Sequence, residues 1–119
     1  INGDGETRRD FCYIKNAIQM NLLAATTDNN DAINEVYNVA LSERTSLNML
    51  YNMIESRIVS RIETIEKKPP IYRDFRKGDV RHSLADISKS KNLLNYFPKY
   101  KISDGLDEVM EWYISSLTP

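Results

Sequence analysis

Apolar residues recur at intervals of three and four along three stretches of this chain, and elsewhere they appear only in short bursts. Ile14, Ala17, Ile18, Leu22 and Ala25 share one helical face, which predicts a first helix over 17–26 with Asn16 as its cap. Leu47, Leu50, Tyr51, Ile54, Ile58 and Ile62 form a second stripe, which Thr45 or Ser46 can cap and Pro69-Pro70 must terminate. Asp86 is placed to cap a third helix over 87–96, stopped by Pro98. Ser103 is placed to cap a fourth, with Leu106, Val109, Met110, Tyr113 and Leu117 on one face, and Asp104 favours its positive end. The bursts read as strands: 10–14 by alternation, 36–41 as a β-branched run, and 71–75 as an edge strand followed by a turn over 76–79. The Asx-rich run 28–31 reads as a turn.

Helices outnumber strands, and no internal repeat or low-complexity segment is present. The predicted class is α+β, a small and mainly helical lobe with a few short strands. Such isolated strands cannot bury both faces of a sheet, so they are expected to extend a sheet supplied elsewhere. The chain opens on Ile1 and INGDG as if cut inside a strand, which predicts a piece of a larger protein.

Composition narrows the chemistry. The 119 residues are 41% apolar and 28% charged, enough for one packed unit. A formal net charge of −1 argues against a nucleic-acid binder that relies on counterion release. One cysteine and one histidine leave too few soft ligands for a structural zinc site. No apolar run approaches the roughly 20 residues of a membrane span, and no leader pattern opens the chain, so a reduced, cytoplasmic setting is expected. Cys12 is expected to be a buried structural thiol, and Phe11, Tyr13, Trp112 and Tyr113 to pack the lobe. A Ser-His-Asp triad is poorly supported, because G-x-S-x-G is absent and His82 is the only histidine. The glycines, Gly3, Gly5, Gly78 and Gly105, assemble no G-x-G-x-x-G or G-x-x-x-x-G-K motif.

Two segments concentrate anion-binding potential: 8–11, with Arg8 and Arg9, and 73–82. In the second, Arg73, Arg76, Lys77 and Arg81 outnumber Asp74 and Asp79, and Gly78 permits close approach of backbone to a ligand. Guanidinium forks match phosphate oxygens, and a nearby carboxylate accepts from sugar hydroxyls. The residues alone leave open a solvated, charged turn as the other reading.

Three motifs then occur in order. They are Gly3-Asp4-Gly5-x-x-x-Arg9-Asp10-Phe11-x-Tyr13-Ile14; Tyr37-Asn38-Val39-Ala40 with Thr45-Ser46-Leu47; and Arg76-x-Gly78-Asp79-Val80-Arg81-His82-Ser83-x-Ala85-Asp86-x-Ser88-Lys89. Together they resemble the C-terminal part of the extended short-chain dehydrogenase/reductases, specifically the NAD-dependent UDP-hexose 4-epimerases, and within them the UDP-N-acetylglucosamine 4-epimerases of polysaccharide assembly. The resemblance covers essentially the whole chain, 1–119, as a substrate-binding lobe. It implies an NAD-binding Rossmann half outside this sequence, UDP-N-acetylhexosamine or UDP-hexose as the bound partner, and a homodimeric parent whose interface is mostly outside this chain. By the same resemblance Arg9 and Arg76 would hold the nucleotide diphosphate from two sides and Asp79 would accept from the uridine ribose. Ser83 would sit beside the sugar, small enough to admit an N-acetyl group. His82 is read either as a phosphate or ribose contact or as a turn histidine bonded to backbone. The family's Tyr-x-x-x-Lys pair is missing: four residues after the tyrosines lie Ala17, Leu41, Glu55, Arg76, Tyr100, Asp104 and Leu117. The chain alone is therefore expected to be inactive and to bind no NAD. Asn16 stands where an aspartate is common in the family, which would preserve a helix cap but lose a charge. A nucleotide-sugar dehydratase, reductase or decarboxylase is a sister reading, and a helical protein-interaction module is a reading of another class.

Overall fold

The computed structural model describes residues 1–117, with the side chain of Leu117 outside the described part. Four helices carry it: α1 (Ile14–Thr26), α2 (Leu47–Val59), α3 (Ser88–Leu94) and α4 (Ile102–Leu117). A single 3-10 turn spans Asn30–Ala32, and two short strands, β1 (Arg8–Arg9) and β2 (Thr45–Ser46), pair antiparallel with Arg8 opposite Ser46. The α+β, mainly helical class is what forms.

Two packing units share the chain. In one, Met20 of α1, Ala32, Ala40, and Ile87, Leu94 and Tyr96 around α3 make the buried core. In the other, α2 lies against α4. There Arg57 bonds Asp107 through both carboxylate oxygens, at 2.7 and 3.0 Å, and also reaches the Ser103 hydroxyl at 2.8 Å. That bond holds the Asp107 carboxyl below its ordinary value.

Several expectations change here for identifiable reasons. Segment 36–41 is no strand, because side chains take its backbone groups. Ser90 Oγ donates to the Asn38 carbonyl at 2.6 Å and the Tyr96 hydroxyl to the Ala40 carbonyl at 3.1 Å. The amides of Leu41 and Ser42 donate to the Asp10 carboxylate. Segment 10–14 is no strand either, since α1 already starts at Ile14. Of 71–75 only Arg73 pairs, in a parallel bridge with Asn2. The third helix ends at Leu94, before Tyr96 and Pro98, because Asn95 takes a left-handed conformation that drops Tyr96 into the core. Ser46 caps α2 as expected, accepting from the Met49 amide at 3.2 Å. Ser103 does not cap α4: Asp104 accepts from the Lys101 amide there. Asp86 does not cap α3, whose cap residue is Ile87; the Ser88 side chain and, at 2.9 Å, the Ser88 amide bond its carboxylate and lower its pKa.

The apolar stripe of α1 faces outward. Ile14, Ile18 and Leu22 are each at least half exposed, while Asn16 and Met20 turn inward. Cys12, Trp112 and Tyr113 are exposed as well, against expectation; the two rings of the last helix meet edge to face at 4.9 Å. Asn16 is the largest departure. It lies inside the helix rather than at its cap, fully buried, and its amide ties α1 to the α3–α4 connection. Its Nδ2 donates to the Tyr100 carbonyl at 2.7 Å, and its Oδ1 accepts from the amides of Lys99 and Tyr100 at 3.0 and 3.1 Å. An aspartate there could accept both amides but could not donate to the carbonyl.

Asn16→Ala strands three backbone groups and is expected to cost about 2–4 kcal/mol in denaturant unfolding, with Asn16→Asp costing less. Because Asp107 is lowered, its link to Arg57 stabilises the fold above the ordinary carboxyl value of 3.8 and is lost as pH falls below it. The unaltered chain is thus expected to lose more stability than Asp107→Asn when melts at about pH 5 and about pH 3 are compared.

Candidate nucleotide-binding site

The N-terminal segment runs alongside residues 71–83 and meets them twice. The amide of Gly3 donates to the Arg73 carbonyl at 2.8 Å, and the Arg73 amide returns to Ile1 at 2.8 Å. Farther along, the Arg8 amide donates to Arg81 at 2.9 Å and the Ser83 amide to Arg8 at 3.2 Å. Between these pairings the chain loops out as a turn over 76–79, closed by the Asp79 amide on the Arg76 carbonyl at 3.2 Å. Gly78 sits in it with φ 79°, a left-handed conformation that an L side chain would strain. The β1–β2 ladder fixes the other side and leads directly into α2.

These elements enclose a cavity of about 490 Å³. Arg9, Arg76 and Asp79, far apart in sequence, all line it, with Leu47, Leu50, Tyr51 and Ile54 of α2 as its apolar wall. Arg9 Nη2 meets Asp79 Oδ1 at 2.6 Å, while Arg9 Nη1 donates to the Arg8 carbonyl at 2.9 Å. Arg76 lies against the Asn2 amide: with the amide oxygen turned toward it, Nε and Nη2 donate at 2.7 and 3.2 Å. The other cations of these segments point elsewhere. Arg81 pairs with Asp4 at 2.5 Å and packs over the Phe75 ring, and Arg8 approaches Glu6 at 4.0 Å.

His82 and Ser83 are outside the cavity lining. His82 is exposed and forms a bridge with Arg8, and half-buried Ser83 follows it in the same stretch. Sequence reasoning missed Asn2 and read the α2 stripe only as one apolar helical face. Yet no residue of α2 is buried, and its apolar side lines the cavity and a second groove against 65–68. The signal was a stripe longer than the neighbouring elements could cover. Among the described residues no group of three His, Cys, Asp or Glu could hold a metal ion, and no helix is long and apolar enough to cross a membrane.

The profile of the GDP-mannose 4,6 dehydratase family matches residues 1–109, and the chain belongs to that family of NAD-dependent nucleotide-sugar epimerases and dehydratases. A putative UDP-glucose 4-epimerase of Methanocaldococcus jannaschii is 32% identical over 94% of this chain, which covers 33% of that protein. Among solved structures, the UDP-glucose 4-epimerase of Thermotoga maritima with UDP-glucose superposes with a TM-score of 0.83 at 33% identity, over 98% of this chain and 35% of that one. The UDP-N-acetylglucosamine 4-epimerase of Methanobrevibacter ruminantium, in complex with UDP-N-acetylmuramic acid, gives 0.78 at 38% identity, over 98% and 34%. The UDP-glucuronic acid 4-epimerase of Bacillus cereus, with UDP-glucuronic acid and NAD, gives 0.81 at 33%, over 98% and 35%. The chain thus spans about a third of the length of these proteins. The fold is that of the C-terminal lobe of such Rossmann-type enzymes.

The glycines of this lobe do not form a dinucleotide cradle. Dinucleotide cradles need glycines whose bare Cα faces a phosphate, but here side chains occupy those faces. The Phe75 ring covers Gly3, the Asn48 amide covers Gly5 and the Tyr13 ring covers Gly105; only Gly78 faces open space.

Proposed function

We propose that this chain is the UDP-sugar-anchoring lobe of an NAD-dependent UDP-hexose 4-epimerase, acting on N-acetylated hexoses in nucleotide-sugar metabolism. The observation that carries the reading is the convergence of Arg9, Arg76 and Asp79 on one cavity. Two guanidinium groups suit a diphosphate, a carboxylate suits a ribose diol, and the α2 wall suits a flat base. Asp79 closes a turn that starts at Arg76, so ribose and phosphate contacts move as one unit.

This lobe grips the part of the substrate that does not react. Binding energy there orients the reacting carbon and is spent in the transition state. NAD, when bound to the rest of such an enzyme, supplies hydride chemistry. The Tyr-x-x-x-Lys pair that the resemblance leads one to expect lies outside these 119 residues, so the lobe alone is expected to show no turnover. The outward stripe of Ile14, Ile18 and Leu22 supports a lobe that works within a larger enzyme; by the resemblance that enzyme is homodimeric and cytoplasmic, with its dimer interface mostly outside this chain. N-acetylated substrate is supported by the 38% identity to an epimerase of that class; Ser83, outside the cavity lining, adds nothing to it. A dehydratase is the second reading, favoured by the family profile and by 29% identity to a dTDP-glucose 4,6-dehydratase of Haemophilus influenzae.

Calorimetric titration at low salt tests the anchor. UDP and UDP-N-acetylglucosamine are both expected to bind, more weakly as salt rises, and Arg76→Ala is expected to lose about 1.5–3 kcal/mol, or about 10- to 150-fold in Kd. Unchanged affinity in Arg76→Ala contradicts the assignment. In an enzyme containing this lobe, the same substitution is expected to raise KM for the UDP-sugar.

A further inference from the structure

The two arginines of the cavity are not equivalent. Arg76 leans on the neutral amide of Asn2, so an anion reaching it displaces no charge. Arg9 is guarded: its Nη2 is taken by the Asp79 carboxylate at 2.6 Å, and its Nη1 is tied to backbone at 2.9 Å. A phosphate oxygen bonding that Nη2 must displace Asp79, or sit beside a like charge.

Resting on the reading of the cavity as a nucleoside-diphosphate site, we propose that Asp79 is its discriminating residue. It yields Arg9 only to an anion that also carries a vicinal diol, so nucleoside diphosphates bind and free pyrophosphate is rejected. Asp79 lies on a turn whose Gly78 faces open space, and its side chain is 41% exposed, which leaves it room to swing off Arg9. An ionised carboxylate only accepts hydrogen bonds. A ribose offers two hydroxyl donors to replace the guanidinium. Pyrophosphate at neutral pH brings a comparable negative charge but no vicinal diol, so Asp79 would be left without a pair of donors to replace the guanidinium. One side chain thereby serves as the counter-ion of Arg9 and as the ribose acceptor, and the exchange between these roles favours nucleotide over anion.

Calorimetry of the 119-residue chain at low salt, with UDP and with sodium pyrophosphate as separate titrants, tests this. The unaltered chain is expected to bind UDP at least about tenfold more tightly than pyrophosphate. Asp79→Asn removes the guarding charge at constant size. It is expected to bind pyrophosphate about 3- to 10-fold more tightly and UDP no better, so that the preference collapses. Asp79→Glu keeps the charge and is expected to retain the preference, which separates loss of charge from a disturbed turn. Pyrophosphate affinity that is unchanged or weaker in Asp79→Asn overturns the discriminating role while leaving UDP anchoring intact. UDP binding no tighter than pyrophosphate in the unaltered chain, or no binding of either, overturns the nucleotide reading itself and the discrimination with it.

Discussion

The pairing of the N-terminal segment with residues 71–83 is the constraint on which the rest of the site depends. It has two anchor points, at Gly3 with Arg73 and at Arg8 with Arg81 and Ser83, and the chain between them must loop out. That loop is the 76–79 turn. β1 continues into the ladder with β2, and β2 feeds α2 without an intervening loop. One set of backbone hydrogen bonds therefore sets three walls at once: Arg9 from β1, Arg76 and Asp79 from the turn, and the apolar side of α2. Only two residues on each strand pair by ladder, so the precision of the site rests on a few bonds and on the side chains that reinforce them. Tyr72 donating to Asn48 and Asn48 donating to Asp4 are two of these.

The remainder of the lobe braces this arrangement from two sides. Arg57 locks α2, the cavity wall, onto α4. The buried Asn16 locks α1 onto the connection that leads into α4. Polar side chains do much of the work that a larger apolar core does elsewhere. This suits a unit whose apolar stripes on α1 and α2 face outward or into a cavity rather than inward, and whose solved relatives are about three times its length.

Much of this was legible in the sequence, and the failures share a cause. Three of the four helices follow from apolar spacing, the third in chain order from Asp86 and Pro98 on its flanks, and the Ser46 cap from residue type. The motif carrying Arg9 and the motif carrying Arg76 and Asp79 name three residues that the fold does bring to one cavity. Periodicity reports that a face is apolar, but not what lies against it; the stripe of α1 is exposed, and Asn16 and Met20 are the buried residues of that helix. Local alternation likewise reports nothing about partners. Segment 36–41 has strand-like composition, yet Ser90, Tyr96 and Asp10 satisfy its backbone from far away in sequence. Asn16 looked like a cap because Asn caps helices, and its actual partners lie 83 and 84 residues away. Nothing local encodes that distance.

On the proposed function, a nucleoside diphosphate lies between Arg9 and Arg76 in the cavity beneath the 76–79 turn. The most direct measurement is a two-dimensional NMR titration of the isotopically labelled chain with UDP, following arginine Nε–Hε and backbone amide resonances. Arg9 and Arg76 side chains, the amides of 76–79 and the cavity-facing residues Leu47, Tyr51 and Ile54 are expected to shift together with one saturation curve, while Met20, Ile87 and Leu94 in the core around α3 stay still. Shifts confined to other cations such as Arg73 or Lys77, or centred on α1 and α3, would contradict it.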